Sequence, residues 1–63
     1  MTRIIKTNYG YEVRTNESVV SFKKAMNKNK NIEGFLSSPG RFEVWTEMHE
    51  ELFTNFVAEY LHI

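Results

Sequence analysis

The hydrophobic positions of this chain fall into six short stretches, and their spacing changes from one to the next. Arg3-Ile4-Ile5-Lys6-Thr7 and Tyr11-Glu12-Val13-Arg14-Thr15 are rich in β-branched and aromatic residues. Asn8-Tyr9-Gly10 separates them, and Asn and Gly suit a tight turn, so the first fifteen residues predict a β-hairpin. Thr15-Asn16-Glu17-Ser18 then offers capping oxygens and an early acid. Behind it, Val19, Phe22 and Met26, with Val20 beside them, follow helical spacing, which predicts a helix to about Lys28. The polar run Asn27-Lys28-Asn29-Lys30-Asn31 ends it.

The second half repeats the plan. Ile32-Glu33-Gly34-Phe35-Leu36 leads into Ser37-Ser38-Pro39-Gly40, where Pro and Gly take the two central positions of a type II turn. Arg41-Phe42-Glu43-Val44-Trp45 alternates as a strand does, with Trp45 on the side of Arg41 and Glu43, away from Phe42 and Val44. Thr46 is the expected cap of a second helix, whose first turns carry Glu47, Glu50 and Glu51 near the positive end of the helix dipole. That helix is expected to continue to the C-terminus.

A shift of 31 residues superimposes the halves. It pairs Glu12 with Glu43, Val13 with Val44, Thr15 with Thr46, Phe22 with Phe53 and Ile32 with Ile63, and it sets Tyr11 against Phe42. These five identities exceed the roughly two that average residue usage supplies. The expected architecture is α+β with order ββαββα: a four-stranded, mostly antiparallel sheet with both helices on one face. One domain, 1–63, is expected, built as two ββα units, 1–31 and 32–63, because one unit alone could not cover its own apolar face.

Composition narrows what such a chain can do. With 63 residues and no cysteine it has neither a disulfide framework nor a thiolate metal site. No apolar run approaches the twenty or so residues of a membrane span, and no leader-like core follows Met1-Thr2-Arg3, so a cytoplasmic protein with no membrane partner is expected. The Lys, Asn and Ile usage, with six asparagines, suits an accessory gene of an AT-rich bacterium, phage or plasmid. A core in so small a chain contributes about 3–5 kcal/mol, which makes self-association the natural reinforcement.

Groups that do chemistry are dispersed. His49 and His62 lie thirteen residues apart, about 20 Å along a helix, and Phe53 stands where a two-histidine zinc motif would need its second ligand. Glu50 and Glu51 project about 100° apart on a helix, and the chain has no aspartate. The three glycines stand singly. The expectation is no catalytic residues, no cofactor and no metal.

Two surfaces stand out instead. On the second helix, Met48, Leu52, Ile63, Phe56, Tyr60, Phe53, Val57 and Leu61 together span about 220° at 100° per residue, twice what a surface helix needs. Part of that width is expected to meet a second subunit or another protein, with Trp45, Phe53, Val57, Tyr60 and Leu61 as the interface. The net charge of zero is also the sum of two opposed halves. Residues 1–31 carry seven bases and two acids, net +5, and residues 32–63 carry one base and six acids, net −5.

Two functions follow as expectations. The first is a homodimeric, non-catalytic module that binds and modulates a larger protein. The second is a nucleic-acid-binding protein that uses a basic patch of Arg14, Lys23, Lys24, Lys28 and Lys30, with Tyr9 or Trp45 to stack on bases.

Overall fold

A computed structural model describes all 63 residues. Six elements follow in the order β1 (Arg3–Lys6), β2 (Gly10–Arg14), α1 (Val20–Lys28), β3 (Ile32–Ser38), β4 (Arg41–Thr46) and α2 (Glu50–Ala58). The strands form one sheet in the order β1-β2-β4-β3, and every neighbouring pair is antiparallel. The fold is α+β, as the residue pattern predicts. No helix is long and apolar enough to cross a membrane.

Strand alternation sets the layers. Tyr11 and Val13 on β2, with Phe42 and Val44 on β4, are buried on one face of the sheet. Both helices cover that face: Phe53 of α2 stacks on Tyr11 with ring centroids 4.3 Å apart, and Phe22 of α1 meets Phe42 edge-on at 5.6 Å. Met26, Ile32, Val57 and Leu61 complete the core. The opposite face of the sheet carries no helix.

The strand register obeys the 31-residue offset. Ile4 pairs with Val13 and Phe35 with Val44, while Ile5 pairs with Glu12 and Leu36 with Glu43. Across the centre, Tyr11 pairs with Val44 and Val13 with Phe42, so the offset exchanges the two pairs, and Glu12 faces Glu43 on the axis between the halves. Thr15 and Thr46 are both buried, and each hydroxyl accepts the N–H two residues on, at 3.1 Å in both cases. The Thr15 N–H donates to the Gly40 carbonyl and the Thr46 N–H to the Tyr9 carbonyl, again 31 residues apart and both 3.1 Å long. A slip of one residue would turn every core side chain to the open face, which locks this register.

The helix starts differ from the sequence expectation. Thr15 does not cap α1: its hydroxyl is 2.8 Å from that of Thr2, and α1 begins at Val20 behind Val19 with no side-chain cap. Thr46 is the last residue of β4 and donates to the Asn31 carbonyl, so His49 caps α2 instead, its Nδ1 accepting the Glu51 N–H at 3.3 Å. In both places a buried hydroxyl is held by a long-range partner, which outweighs a local capping bond. The second helix also stops at Ala58, where a last turn carries the chain on to Leu61, whose N–H reaches the Val57 carbonyl at 2.9 Å. Gly40, at φ +76°, supplies the left-handed residue of the Pro39–Gly40 turn.

Candidate interaction surfaces

The apolar positions expected on α2 are divided between the core and the surface, and Met48, Tyr60, Leu61 and Ile63 lie outside the helix. Phe53 and Val57 are fully buried and Leu61 is 3% exposed, all within the chain's own core. These three residues, expected from the sequence at an interface, are therefore committed to the sheet. The side nearer solvent is the stripe Leu52, Phe56 and Tyr60, with Leu52 61% and Tyr60 38% exposed, while Phe56, like Met48 ahead of the helix, is partly buried against the core. Of the expected contact residues on α2 and its exit, Tyr60 alone lies on this open side. Phe56 and Tyr60 also reach across to Phe22, 5.9 and 6.4 Å between ring centroids, so the stripe runs along the seam between the helices.

Charge is divided between the two helices. Lys23, Lys24 and Lys28 lie on α1 and Lys30 just after it, whereas Glu47, Glu50, Glu51 and Glu59 lie on or beside α2. None of these eight groups has an ion-pair partner within the chain.

The basic patch expected from the sequence is not one surface. Arg14 follows Val13, which points into the core, so Arg14 projects from the open sheet face while the four lysines belong to the helix layer. There Arg14 lies opposite Arg3 and Arg41, a row of three arginines across the strands. Glu12 and Glu43 in the adjoining row neutralise part of it: Arg14 pairs with Glu12, and Arg41 reaches Glu43 at 3.4 Å and Glu12 at 3.9 Å.

Trp45 stands on this open face with Arg41 and Glu43, as alternation predicts. It is half-buried because Tyr9 stacks on one side of its ring, centroids 4.5 Å apart. The Tyr9 hydroxyl donates to Glu43 Oε1 at 2.8 Å. That hydrogen bond raises the Tyr9 pKa and, with Arg41 assisting against desolvation, lowers that of Glu43. Both cross-strand neighbours of Trp45 are glycines, Gly10 and Gly34. The stack and the glycine frame escape a sequence reading because they depend on the register between distant strands.

His49 and His62 do different structural jobs at separate places. Glu17 gathers residues distant in sequence: it accepts the His62 N–H at 2.9 Å and the Thr2 hydroxyl at 3.1 Å, and its Oε1 lies 2.9 Å from His62 Nδ1. Desolvation pushes the Glu17 carboxyl up, but the His62 and Thr2 hydrogen bonds together outweigh it and hold its pKa below the usual carboxylate range. A depressed folded-state pKa contributes stability that is present above the ordinary carboxylate pKa and disappears as pH falls through the folded value. Thermal unfolding followed from neutral to acid pH is therefore expected to show a steeper loss for the wild type than for Glu17→Gln. Superimposable pH profiles would remove Glu17 from this role.

No group of three His, Cys, Asp or Glu side chains is placed to hold a metal ion. Comparison with family models, with curated proteins and with solved structures finds no match to this chain.

Proposed function

We propose that this chain is a non-catalytic interaction module that acts as a homodimer and binds a larger protein through its helix layer. The observation that carries the reading is exposed Leu52 and Tyr60 beside half-buried Phe56 at the seam between the helices, with unpaired lysines on and just after α1 and unpaired glutamates on or beside α2. An apolar core ringed by charge is the anatomy of a protein-binding patch, in which the ring sets register and partner choice. The titratable groups support the same reading. His49 is engaged in capping, His62 with Glu17, and Glu12 and Glu43 with arginines, and none of His49, His62, Glu12 and Glu43 lines an open cavity.

The test is affinity capture from the native host at high salt, with wild type and Leu52→Glu side by side. The wild type is expected to retain one protein that Leu52→Glu loses, while both keep the same circular dichroism spectrum. Equal capture by both would overturn the assignment to this stripe. Lys24, Lys28 and Lys30, exposed and unpaired, favour a second reading in which α1 tracks nucleic-acid phosphates. Recovery of nucleic acid at low salt only, with no salt-resistant protein, would establish that reading in place of the first.

A further inference from the structure

We propose that two copies of this chain join through the free edges of β3, paired antiparallel about Phe35, so that Leu36 of each copy fills the open space over Gly34 of the other. This deepens the homodimer reading above by naming its interface.

The two edges of the sheet are unlike. The outer strand β1 is four residues long and begins and ends in a charge, Arg3 and Lys6, the usual protection against edge-to-edge pairing. Strand β3 is seven residues long and carries one charge, Glu33, at the bulge between Ile32 and Gly34. Beyond it, Gly34-Phe35-Leu36-Ser37-Ser38 is uncharged and has no proline. It leaves a row of backbone groups at the sheet border, a template for another strand.

Gly34 follows the bulge, and nothing in the chain fills the space above it. Its φ is not positive, and a Cβ built on it would meet nothing within 4 Å. Glycine inside a strand is destabilising by roughly 0.5–1 kcal/mol and marks either a bulge or a place where another backbone or ligand approaches closely. The gap over Gly34 lies beside Trp45, whose ring is held in place from the β2 side by Tyr9. It is open space on the face that carries Trp45.

The matching projection is two residues along the same edge. Leu36 lies on the same open face as Gly34 and Trp45 and is 59% exposed. In an antiparallel pair of identical strands centred on Phe35, Gly34 of one copy lies opposite Leu36 of the other, twice over. Leu36 then covers the partner's glycine and rests against its Trp45, the arrangement by which a large cross-strand side chain compensates an edge glycine. On the helix side the two Phe35 rings become cross-strand neighbours, beside a depression lined by Met26, Asn27 and Ile32. Glu33 lies opposite Ser37 of the other copy, so no like charges meet. A two-fold self-complementary patch is what a closed dimer requires.

The resulting eight-stranded sheet has a predictable electrostatic signature. Helix α1 packs against β3, so the two lysine-bearing helices become neighbours across the junction. Their repulsion opposes association and is screened by salt, so dimerisation strengthens as salt rises. Pairing through the oppositely charged seam of the helix layers would respond in the opposite sense.

The chain lacks cysteine, which permits a clean crosslinking test. Gly34→Cys protein mixed with Leu36→Cys protein is expected to give mainly the mixed disulfide. Directly opposed residues fall within the span a disulfide bridges, whereas Gly34 and its own copy stand further apart. Sedimentation at increasing concentration is expected to show a dimer for the wild type, and Leu36→Lys is expected to weaken it at least tenfold with an unchanged circular dichroism spectrum. A monomer at all concentrations, disulfides formed without preference, or a dimer that survives Leu36→Lys would each overturn the proposal. Leu52→Glu is expected to leave this dimer intact, so the interface and the partner-binding stripe fail or stand separately.

Discussion

Phe53→Ala is expected to leave most of the protein unfolded at 25 °C. The Phe53 ring is fully buried, lies nearly parallel to Tyr11 at 9° and 4.3 Å, and approaches Phe56 at 6.4 Å. Truncating a buried phenylalanine to alanine costs about 3–5 kcal/mol, the lost transfer energy plus the cavity left behind. That is about the whole stability a core of this size supplies. A larger protein would absorb the loss. This one has no disulfide to limit the entropy of its unfolded chain. Phe53→Leu, which keeps most of the volume, is expected to remain folded with a lower midpoint. Circular dichroism through a thermal or urea titration distinguishes the cases, at matched protein concentration because association adds to apparent stability. A cooperative transition for Phe53→Ala within a few degrees of the wild type would show that the core does not depend on this ring.

Gly10→Ala is expected to be as damaging, for a different reason. Gly10 has φ +153°, and a Cβ there would stand 2.3 Å from the Val44 carbonyl oxygen and 2.8 Å from the Thr46 nitrogen. These are backbone atoms of β4, which cannot swing aside as a side chain can. The central strands would have to part, and with them the Thr46 N–H to Tyr9 carbonyl bond and the pairing of Gly10 with Trp45. The unfavourable φ alone costs roughly 1–3 kcal/mol, and the displaced strand pair adds to it. The matched control is Gly34→Ala, on the same row but two strands away, across Trp45 of β4. There a Cβ meets open space, so the monomer is expected to be unchanged or more stable by roughly 0.5–1 kcal/mol. Equal destabilisation by the two substitutions would contradict the sheet geometry. A Gly34→Ala monomer that is more stable would show a glycine retained at a cost to the isolated chain.

Several features are already legible in the residues. The alternation of Phe42, Glu43, Val44 and Trp45 places two side chains on each face, and the structure keeps that division. The 31-residue offset read from Glu12, Val13, Thr15 and Phe22 reappears in the strand register, because inward side chains, turns and buried threonines must all agree on one alignment. Alternation also separates Arg14 from the lysines of α1. A count of basic residues along the chain groups them, whereas a strand that sends Val13 inward must send Arg14 outward.

The rest depended on partners distant in sequence. Thr15 and Thr46 look like helix caps because their local surroundings are those of caps. Thr2 and Asn31 are what hold their hydroxyls, and neither is near in the chain. Trp45 reads as an exposed anchor until Tyr9 is brought onto its ring across β2 and β4.

Helix α2 shows the boundary most clearly. Its residue pattern gave an apolar arc about twice as wide as a surface helix needs, but the helix ends at Ala58, so only Leu52, Phe53, Phe56 and Val57 of that arc lie on it. Only the docking angle of α2 on the sheet decided that Phe53, Val57 and Leu61 would form the core, that Phe56 would be half-buried at its border, and that Leu52 and Tyr60 would stay exposed. Periodicity states which residues share a stripe. The choice between two adjoining stripes rests on which of them fits the shape left by Tyr11, Val13 and Phe22, and that shape exists only once the sheet and α1 have assembled.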